Sequence, residues 1–355
     1  MEFLIELGLF LAKAIIIVTA VVMILGAIAS NVHRPKEHPQ GHIDILDITQ
    51  KFKDLKEQLM AEILDKKARK QQQKEEKKLK KAREKLSKKE KSKSEEIADE
   101  KSENNKKSRL YVIDFDGDVH AHAVSNLREE ISAILTIAED NDEVLLRLES
   151  PGGVVHGYGH AASQLKRLAG RKIQLTVVVD EVAASGGYMM ACVADKIIAA
   201  PFAIIGSIGV IAEMPNFNRL LKKHDIDIEL HTAGEFKRTL TMLGENTESG
   251  REKFKQELNE AHELFKRWVH ENREQLDIDQ VATGEHWFGQ QALELKLIDE
   301  LGTSDDYIMA KVSSHDVYEL SYQPPKQLSS RISKLLQQSI EKTLRGLFRR
   351  RSPLG

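Results

Sequence analysis

Cysteine is almost absent from this sequence. Cys192 is the single one in 355 residues, so no disulfide can form within one copy. That thiol leaves the compartment open, because many exported domains also lack disulfides. The 13 histidines, His156, His160 and His286 among them, lack metal-ligand spacing and read as surface or satisfied polar residues. No phosphate-cradling loop and no dinucleotide fingerprint occurs, so neither a metal nor an organic cofactor is expected. A basic surplus for nucleic acid is missing as well. Residues 51–107 hold 21 Lys/Arg against 13 Asp/Glu, a surplus of about eight, while the whole chain has a formal net charge of -2. The remainder is therefore acidic by about ten charges, which argues against a nucleic-acid-binding core.

The length admits one or two domains. Residues 7–29 are apolar apart from Lys13 and include Ile15-Ile16-Ile17-Val18-Thr19-Ala20-Val21-Val22-Met23-Ile24-Leu25. Roughly 20 such residues cross a bilayer core as a helix. A cleaved signal peptide would have a shorter apolar centre after a basic start, whereas Glu2 and Glu6 precede this run. A retained transmembrane anchor is expected. Arg34, Lys36 and the later lysines favour a cytoplasmic C-terminal side, on a near-flank difference of a charge or two. A second apolar stretch, residues 187–212, carries Asp195 and Lys196 near its middle. Charges at a bilayer centre are costly, so it reads as buried α/β core.

Residues 33–41, with Pro35 and Pro39, read as a juxtamembrane linker. From Lys51 to about Arg109 the chain is dominated by Lys, Glu, Gln and Ser. Leu55, Leu59 and Ile63 stand at helical spacing, but beyond Lys66 apolar anchors are sparse and a solvated spacer is expected. Anionic lipid headgroups are its alternative partner. From Leu110 onward, strand patterns at 110–115, 144–148, 173–179 and 196–199 alternate with helical patterns at 123–138 and 154–168. That order implies βαβ units and a largely parallel sheet. A long amphipathic helix is expected at 247–272, as packing surface. The tail from Gln327 reads as a basic amphipathic helix, suited to a partner groove or a membrane surface.

The chemistry rests on three loops. Ser185 lies in Val182-Ala183-Ala184-Ser185-Gly186-Gly187-Tyr188, where small residues suit a sharp strand-to-helix turn. By itself it reads more readily as a helix N-cap, where serine is favoured. Ser150-Pro151-Gly152-Gly153 follows a buried strand and exposes backbone N–H groups that could hold an oxyanion. By itself it is also an ordinary βα turn. Lys237, in Ala233-Gly234-Glu235-Phe236-Lys237, could take the serine's proton if burial or like charge removed its own charge. A hydroxyl such as Ser207 could hold that amine in line. The common fate of a lysine is the surface. The catalytic reading therefore expects a partly buried, uncharged Lys237 beside Ser185.

Taken together and in order, the motifs resemble one family. Glu149-Ser150-Pro151-Gly152-Gly153, Ala184-Ser185-Gly186-Gly187-Tyr188, Ala194-Asp195-Lys196-Ile197-Ile198-Ala199-Ala200-Pro201, Gly206-Ser207-Ile208-Gly209-Val210 and Gly234-Glu235-Phe236-Lys237 look like the signal peptide peptidase A (S49) family of serine peptidases. So does Thr283-Gly284-Glu285-His286-Trp287-Phe288-Gly289-Gln290-Gln291-Ala292-Leu293, leading into Leu297-Ile298-Asp299-Glu300-Leu301-Gly302. The single catalytic unit, anchor and charged spacer are most similar to the family's inner-membrane members in Gram-negative bacteria.

The resemblance implies an α/β fold, a ClpP/crotonase-type spiral of βα units preceded by an N-terminal transmembrane helix and a charged linker. Residues 1–32 would be the anchor, 33–109 the linker, 110–325 the peptidase domain and 326–355 the tail. It implies a Ser–Lys dyad with Ser185 as nucleophile, Lys237 as general base, Ser207 orienting the lysine and Gly152 giving an oxyanion N–H. Substrates would be peptides or membrane proteins, as signal-peptide remnants or other membrane-derived or misfolded segments. Further partners would be membrane lipid and copies of the same chain, in ring- or dome-like homo-oligomers whose neighbours complete the sites. The place would be the bacterial inner membrane, single-pass, with the catalytic domain on the periplasmic side, against the charge signal. Arg238-Thr239-Leu240-Thr241-Met242 and Lys296 depart from the family's usual small residues and glycine, which bears on substrate preference.

Three other readings compete. A Ser–His–Asp peptidase on this fold would need a histidine near position 210, which is Val. A crotonase-like acyl-transfer enzyme would use the oxyanion loop without a serine nucleophile. A non-catalytic membrane scaffold would keep the fold and need neither Ser185 nor Lys237.

Overall fold

A computed structural model describes residues 41–63 and 107–325, with isolated positions 10, 13, 18, 19 and 78. Those isolated positions apart, the expected span at 7–29, the charged stretch at 64–106 and the tail at 326–355 lie outside the described residues. Among the described residues no helix is long and apolar enough to cross a membrane. The chain divides into two units, and the one described below is Ile43–Tyr322. The other, Met1–His42 with Gln323–Gly355, falls almost wholly outside the described residues.

The elements are β1 (His42–Asp47), α1 (Ile48–Ile63), β2 (Arg109–Asp116), α2 (Val124–Ile137), β3 (Glu143–Glu149), α3 (Val155–Ala169), β4 (Gln174–Val179), β5 (Val182–Ala184), α4 (Gly186–Ala191), β6 (Lys196–Ala199) and β7 (Ile204–Gly206). After them come α5 (Asn218–Lys223), α6 (Glu248–Asn272), α7 (Ile278–Val281), β8 (His286–Phe288), α8 (Gly289–Glu294), β9 (Glu300–Leu301), α9 (Ser304–Lys311) and β10 (Asp316–Gln323). A seven-stranded sheet has the order β1-β10-β2-β3-β4-β6-β9, and a three-stranded sheet the order β5-β7-β8. From β10 to β9 the large sheet pairs in parallel, as the alternation of strand and helix patterns requires. The small sheet is mixed: β5 and β7 are parallel, β7 and β8 antiparallel.

Both faces of the large sheet are buried. Successive side chains of a strand point to opposite faces. Tyr111, Ile113, Phe115, Val144, Leu146 and Leu148 join one apolar cluster, with Leu127 and Ile131 of α2 and Leu165 of α3. Leu110, Val112 and Leu145 join the other, with Ile48 of α1 and Ile308 of α9. Burying each such aliphatic side chain stabilises the fold by about 1.5–3 kcal/mol relative to exposing it. The stretch with Asp195 and Lys196 is core, as expected. Asp195 Oδ2 accepts from Leu175 N at 2.8 Å and Lys196 pairs with Glu300, so both charges are satisfied at strand ends.

Residues 42–63 differ from a bare spacer. Ile48 and Thr49 are buried, and Val317 N of β10 donates to Thr49 Oγ1 at 2.8 Å. The helix read from Leu55, Leu59 and Ile63 is α1, and its partner is a strand more than 250 residues away. With Met309 and Val312 it frames an apolar groove of about 840 Å³.

Candidate active site

The parallel strands of the large sheet end at one edge, where loops collect. Three of those loops meet through the small sheet. Ser150, directly after β3, bridges to Ala183 of β5. Ala184 of β5 is in register with Gly206 of β7. Ser185 and Ser207 are the next residues of two parallel strands, whose spacing is about 4.8 Å. Strand register thus brings Ser185 and Ser207 side by side, with Ser150 opposite Ala183, two residues before Ser185. Antiparallel pairing of Gly206 with His286 and Ile205 with Trp287 braces the outer side.

Ser185 occupies a strained turn, with φ 53° and ψ -117°. The left-handed side of φ is unfavourable for a serine and is held here by its neighbours. Ser185 N donates to Gly206 O at 2.7 Å, and Met189 N donates to Ser185 O at 3.0 Å. Ser185 sits at the N-cap of α4 but makes no side-chain capping bond. An ordinary capping serine spends its oxygen on the helix's first N–H groups. This one leaves its hydroxyl to the cleft. Ser207 has φ 53° too.

Gly152 packs against the Ser185 turn. Its φ is +89°, and a Cβ there would lie 2.7 Å from both Ala184 O and Ser185 Cβ, so only glycine fits. Its N–H donates to Ser150 Oγ at 3.1 Å. Ser150 Oγ is 2.6 Å from Tyr158 Oη, which donates to Asp118 O at 2.9 Å. Burial raises the Tyr158 phenol above its ordinary pKa, against a smaller lowering by Ser150, so it stays a donor. The Gly152 N–H, expected to meet an oxyanion, is therefore already engaged within the protein. Gly186 N–H, the first of α4, has no intrahelical acceptor by helix geometry.

Glu149 fixes β5 from below. Oε1 accepts from Asp180 N at 3.1 Å and Glu181 N at 3.0 Å, and Oε2 from Val182 N at 2.9 Å. Burial raises its pKa, and the three N–H groups offset part of that rise. The cleft itself, about 790 Å³, is lined by Ser185, Ser207, Val119, Val155, His262 and Thr283 among others. A smaller recess of about 80 Å³ opens beside Ser185 and is walled by Met189, Val210, Ala261 and Phe265. It has room for a small apolar side chain.

Lys237 differs from the expectation of a partly buried amine beside Ser185. It is exposed, as is every residue from 222 to 238. Among the described residues Lys237 makes no ion pair or side-chain hydrogen bond. Phe236 stacks under Lys253, and Thr239 O packs against Gly250, so this turn lies near the start of α6. The residues Ala261, His262 and Phe265, which line the cleft and its recess, come eight or more residues after Lys253 on α6, on the order of 12 Å or more along its axis. Among the described residues, little covers the apolar side chains of this segment, so nothing there draws Lys237 into a buried setting. Phe217, Ile226, Leu230 and Phe236 are 43–49% exposed.

Sequence reading missed the parts that α6 and β8 bring. It took the helix at 247–272 as packing surface, and Trp268 Nε1 does bond Met189 O at 3.1 Å. The same helix also delivers His262 and Ala261 to the cleft. Spacing could not reveal this, because His262 lies 77 positions beyond Ser185.

Residues 2–165 match the family described as "Peptidase family S49 N-terminal", and residues 167–317 match "Peptidase family S49". The chain is 52% identical over 332 residues to a probable protease SohB of Haemophilus influenzae, covering 94% of this chain and 92% of that one. It is 58% identical over 246 residues to a probable protease SohB of Buchnera aphidicola, covering 69% of this chain and 73% of the relative. Among solved structures it resembles a mutant of the 1510-N membrane-bound stomatin-specific protease in complex with a substrate peptide. That likeness is remote, with 14% identity, a TM-score of 0.40, and coverage of 65% of this chain and 98% of the other. On the family match and the long alignments, the chain belongs to peptidase family S49.

Proposed function

We propose that the chain is a membrane-anchored serine endopeptidase with a Ser–Lys dyad whose halves come from neighbouring copies. Ser185 is the nucleophile. The observation that carries this is a serine at a helix N-cap, in a strained backbone, making no capping bond. Lys237 is the general base. An amine accepts a proton at neutral pH only when burial or like charge has depressed its pKa. A second copy covering the apolar side chains around residues 217–236 would bury Lys237 and bring it to the neighbour's Ser185. Ser207, in register with Ser185, then orients the amine.

In the first step Ser185 Oγ attacks the substrate carbonyl carbon while its proton passes to Lys237 Nζ. Gly152 N–H exchanges Ser150 Oγ for the developing oxyanion, a charged and therefore stronger acceptor, with Gly186 N–H as its companion. Collapse expels the amine, which takes the proton from Lys237. Water then gives a proton to Lys237 and attacks the acyl carbon; the acyl–Oγ bond breaks, Lys237 returns the proton to Ser185 Oγ, and the acid leaves. The substrates are extended segments of signal-peptide remnants or other membrane-derived or misfolded proteins, with a small apolar side chain in the recess. The apolar run at 7–29 anchors the chain once in the bacterial inner membrane, with the peptidase domain on the periplasmic side. The parallel βα order fits the ClpP/crotonase-type spiral.

Labelling by a serine-directed fluorophosphonate tests the dyad in intact membranes. Lys237→Ala should label at least about 100-fold more slowly than the unaltered protein, the scale of a lost general base. Equal labelling of the two would remove the lysine from the mechanism. Protease protection in spheroplasts reads the membrane side.

A further inference from the structure

The geometry points to His262 as the residue that holds the Ser207 loop in its working conformation, a role resting on Ser207 orienting the base. Ser207 stands at φ 53°. A serine keeps that conformation only where its surroundings hold it. Two contacts do so from different parts of the chain. Ser207 N donates to Glu285 O at 2.7 Å. His262 Nε2 lies 3.3 Å from Ile208 O, one residue further on. A carbonyl oxygen can only accept, so Nε2 carries the hydrogen, and the neutral ring is the Nε2–H tautomer.

The Ile208 side chain is wholly buried, so its carbonyl is presented from a fixed anchor. The separation is long for a hydrogen bond, and such contacts in a resting site tighten when the site is completed. With Nε2 given to the carbonyl, His262 acts through Ile208 on Ser207. It is a positioning residue. Trp268, six positions along the same helix, bonds Met189 O behind Ser185. One rigid helix thus sets the nucleophile's helix and the orienting serine against each other. If the Ile208 contact were lost, Ser207 would drift from the amine while the cleft still bound peptide. The loss therefore falls on kcat and spares KM.

The test uses the full-length protein in detergent, with peptide turnover as the readout and a melting curve as the check on folding. His262→Met keeps a similar volume without an N–H, and His262→Gln restores a donor. The Met variant should lose about tenfold in kcat with KM within about twofold, and the Gln variant should recover to within about threefold. Placed on Ser207→Ala, the Met change should cost less than about twofold more, because the two residues act in series. Unchanged kcat in the Met variant, equal losses in Met and Gln, or full additivity with Ser207→Ala would each overturn the assignment. The dyad itself fails on a separate variant, through undiminished labelling of Lys237→Ala, so the two failures are distinguishable.

Discussion

The serine side and the lysine side of this molecule are built to different standards. Around Ser185 the chain satisfies itself. Ile205 and Ile208 are wholly buried, Ser150 is wholly buried, and the backbone N–H groups of Ser185 and Ser207 have carbonyl partners within the protein. Residues 222–238 are exposed throughout, and Leu230 and Phe236 are each 49% exposed. Strain is tolerated on the first side because packing over-determines it. On the second side apolar surface stays uncovered among the described residues. A nucleophile needs a preorganised turn in every copy. A lysine base needs an environment that removes its charge, and a second subunit can supply that on assembly.

Mixing inactive chains is the strongest way to break this contrast. Ser185→Ala and Lys237→Ala chains should each be inactive alone. Co-assembled, about one quarter of random sites should pair an intact serine with an intact lysine and regain peptide turnover. No recovery in verified mixed oligomers would place both groups in one chain and end the two-copy reading.

Two glycines sharpen it next. Gly152 and Gly234 both have positive φ, +89° and +97°. At Gly152 an added Cβ meets backbone and Ser185 at 2.7 Å, whereas at Gly234 the nearest atom is Lys237 Cβ at 4.0 Å. Gly152→Ala should cost at least about 3 kcal/mol in denaturant unfolding and most of the turnover, from clash added to strain. Gly234→Ala should cost about 1 kcal/mol, from strain alone. Equal costs at the two sites would mean that the lysine turn is packed as tightly as the serine turn.

The smallest effect is expected away from both regions. Glu130 is buried; its Oε1 accepts from Tyr322 N at 2.8 Å and its Oε2 has no partner among the described residues. Burial raises its pKa, Tyr322 N–H lowers it less, and Asp114 adds to the rise. The folded state therefore holds this proton more tightly than the unfolded chain. Stability falls as pH rises from the ordinary carboxylate value through the raised one. Glu130→Gln should add about 1 kcal/mol at neutral pH and flatten that slope, with turnover unmoved. Parallel stability-against-pH curves for the two proteins would show that the carboxylate carries no such penalty.

Much of the large sheet was legible. The runs at 110–115, 144–148 and 196–199 fall within strands β2, β3 and β6, because β-branched and apolar residues announce a buried parallel strand locally. The three-residue strands β5, β7 and β8 were not, since three residues carry no measurable period. β1 was hidden by the charged composition around it, and α1 was legible from Leu55, Leu59 and Ile63 as a helix but not as part of the core to which Ile48 belongs. The site was legible as residue types and motifs. The engagement of Gly152 N–H with Ser150, the arrival of His262, and the exposure of Lys237 were not.

Taken alone, the sequence determined the chemistry available to this protein: a serine between small residues, a Pro-Gly-Gly loop, a lysine, and the apolar periods of an α/β core. Those are properties of residue type and near spacing. Only the tertiary structure decided which serines stand side by side, which N–H is engaged, and which side chains stay exposed among the described residues. Strand register and exposure depend on what each segment packs against, and that partner lies far away in the sequence.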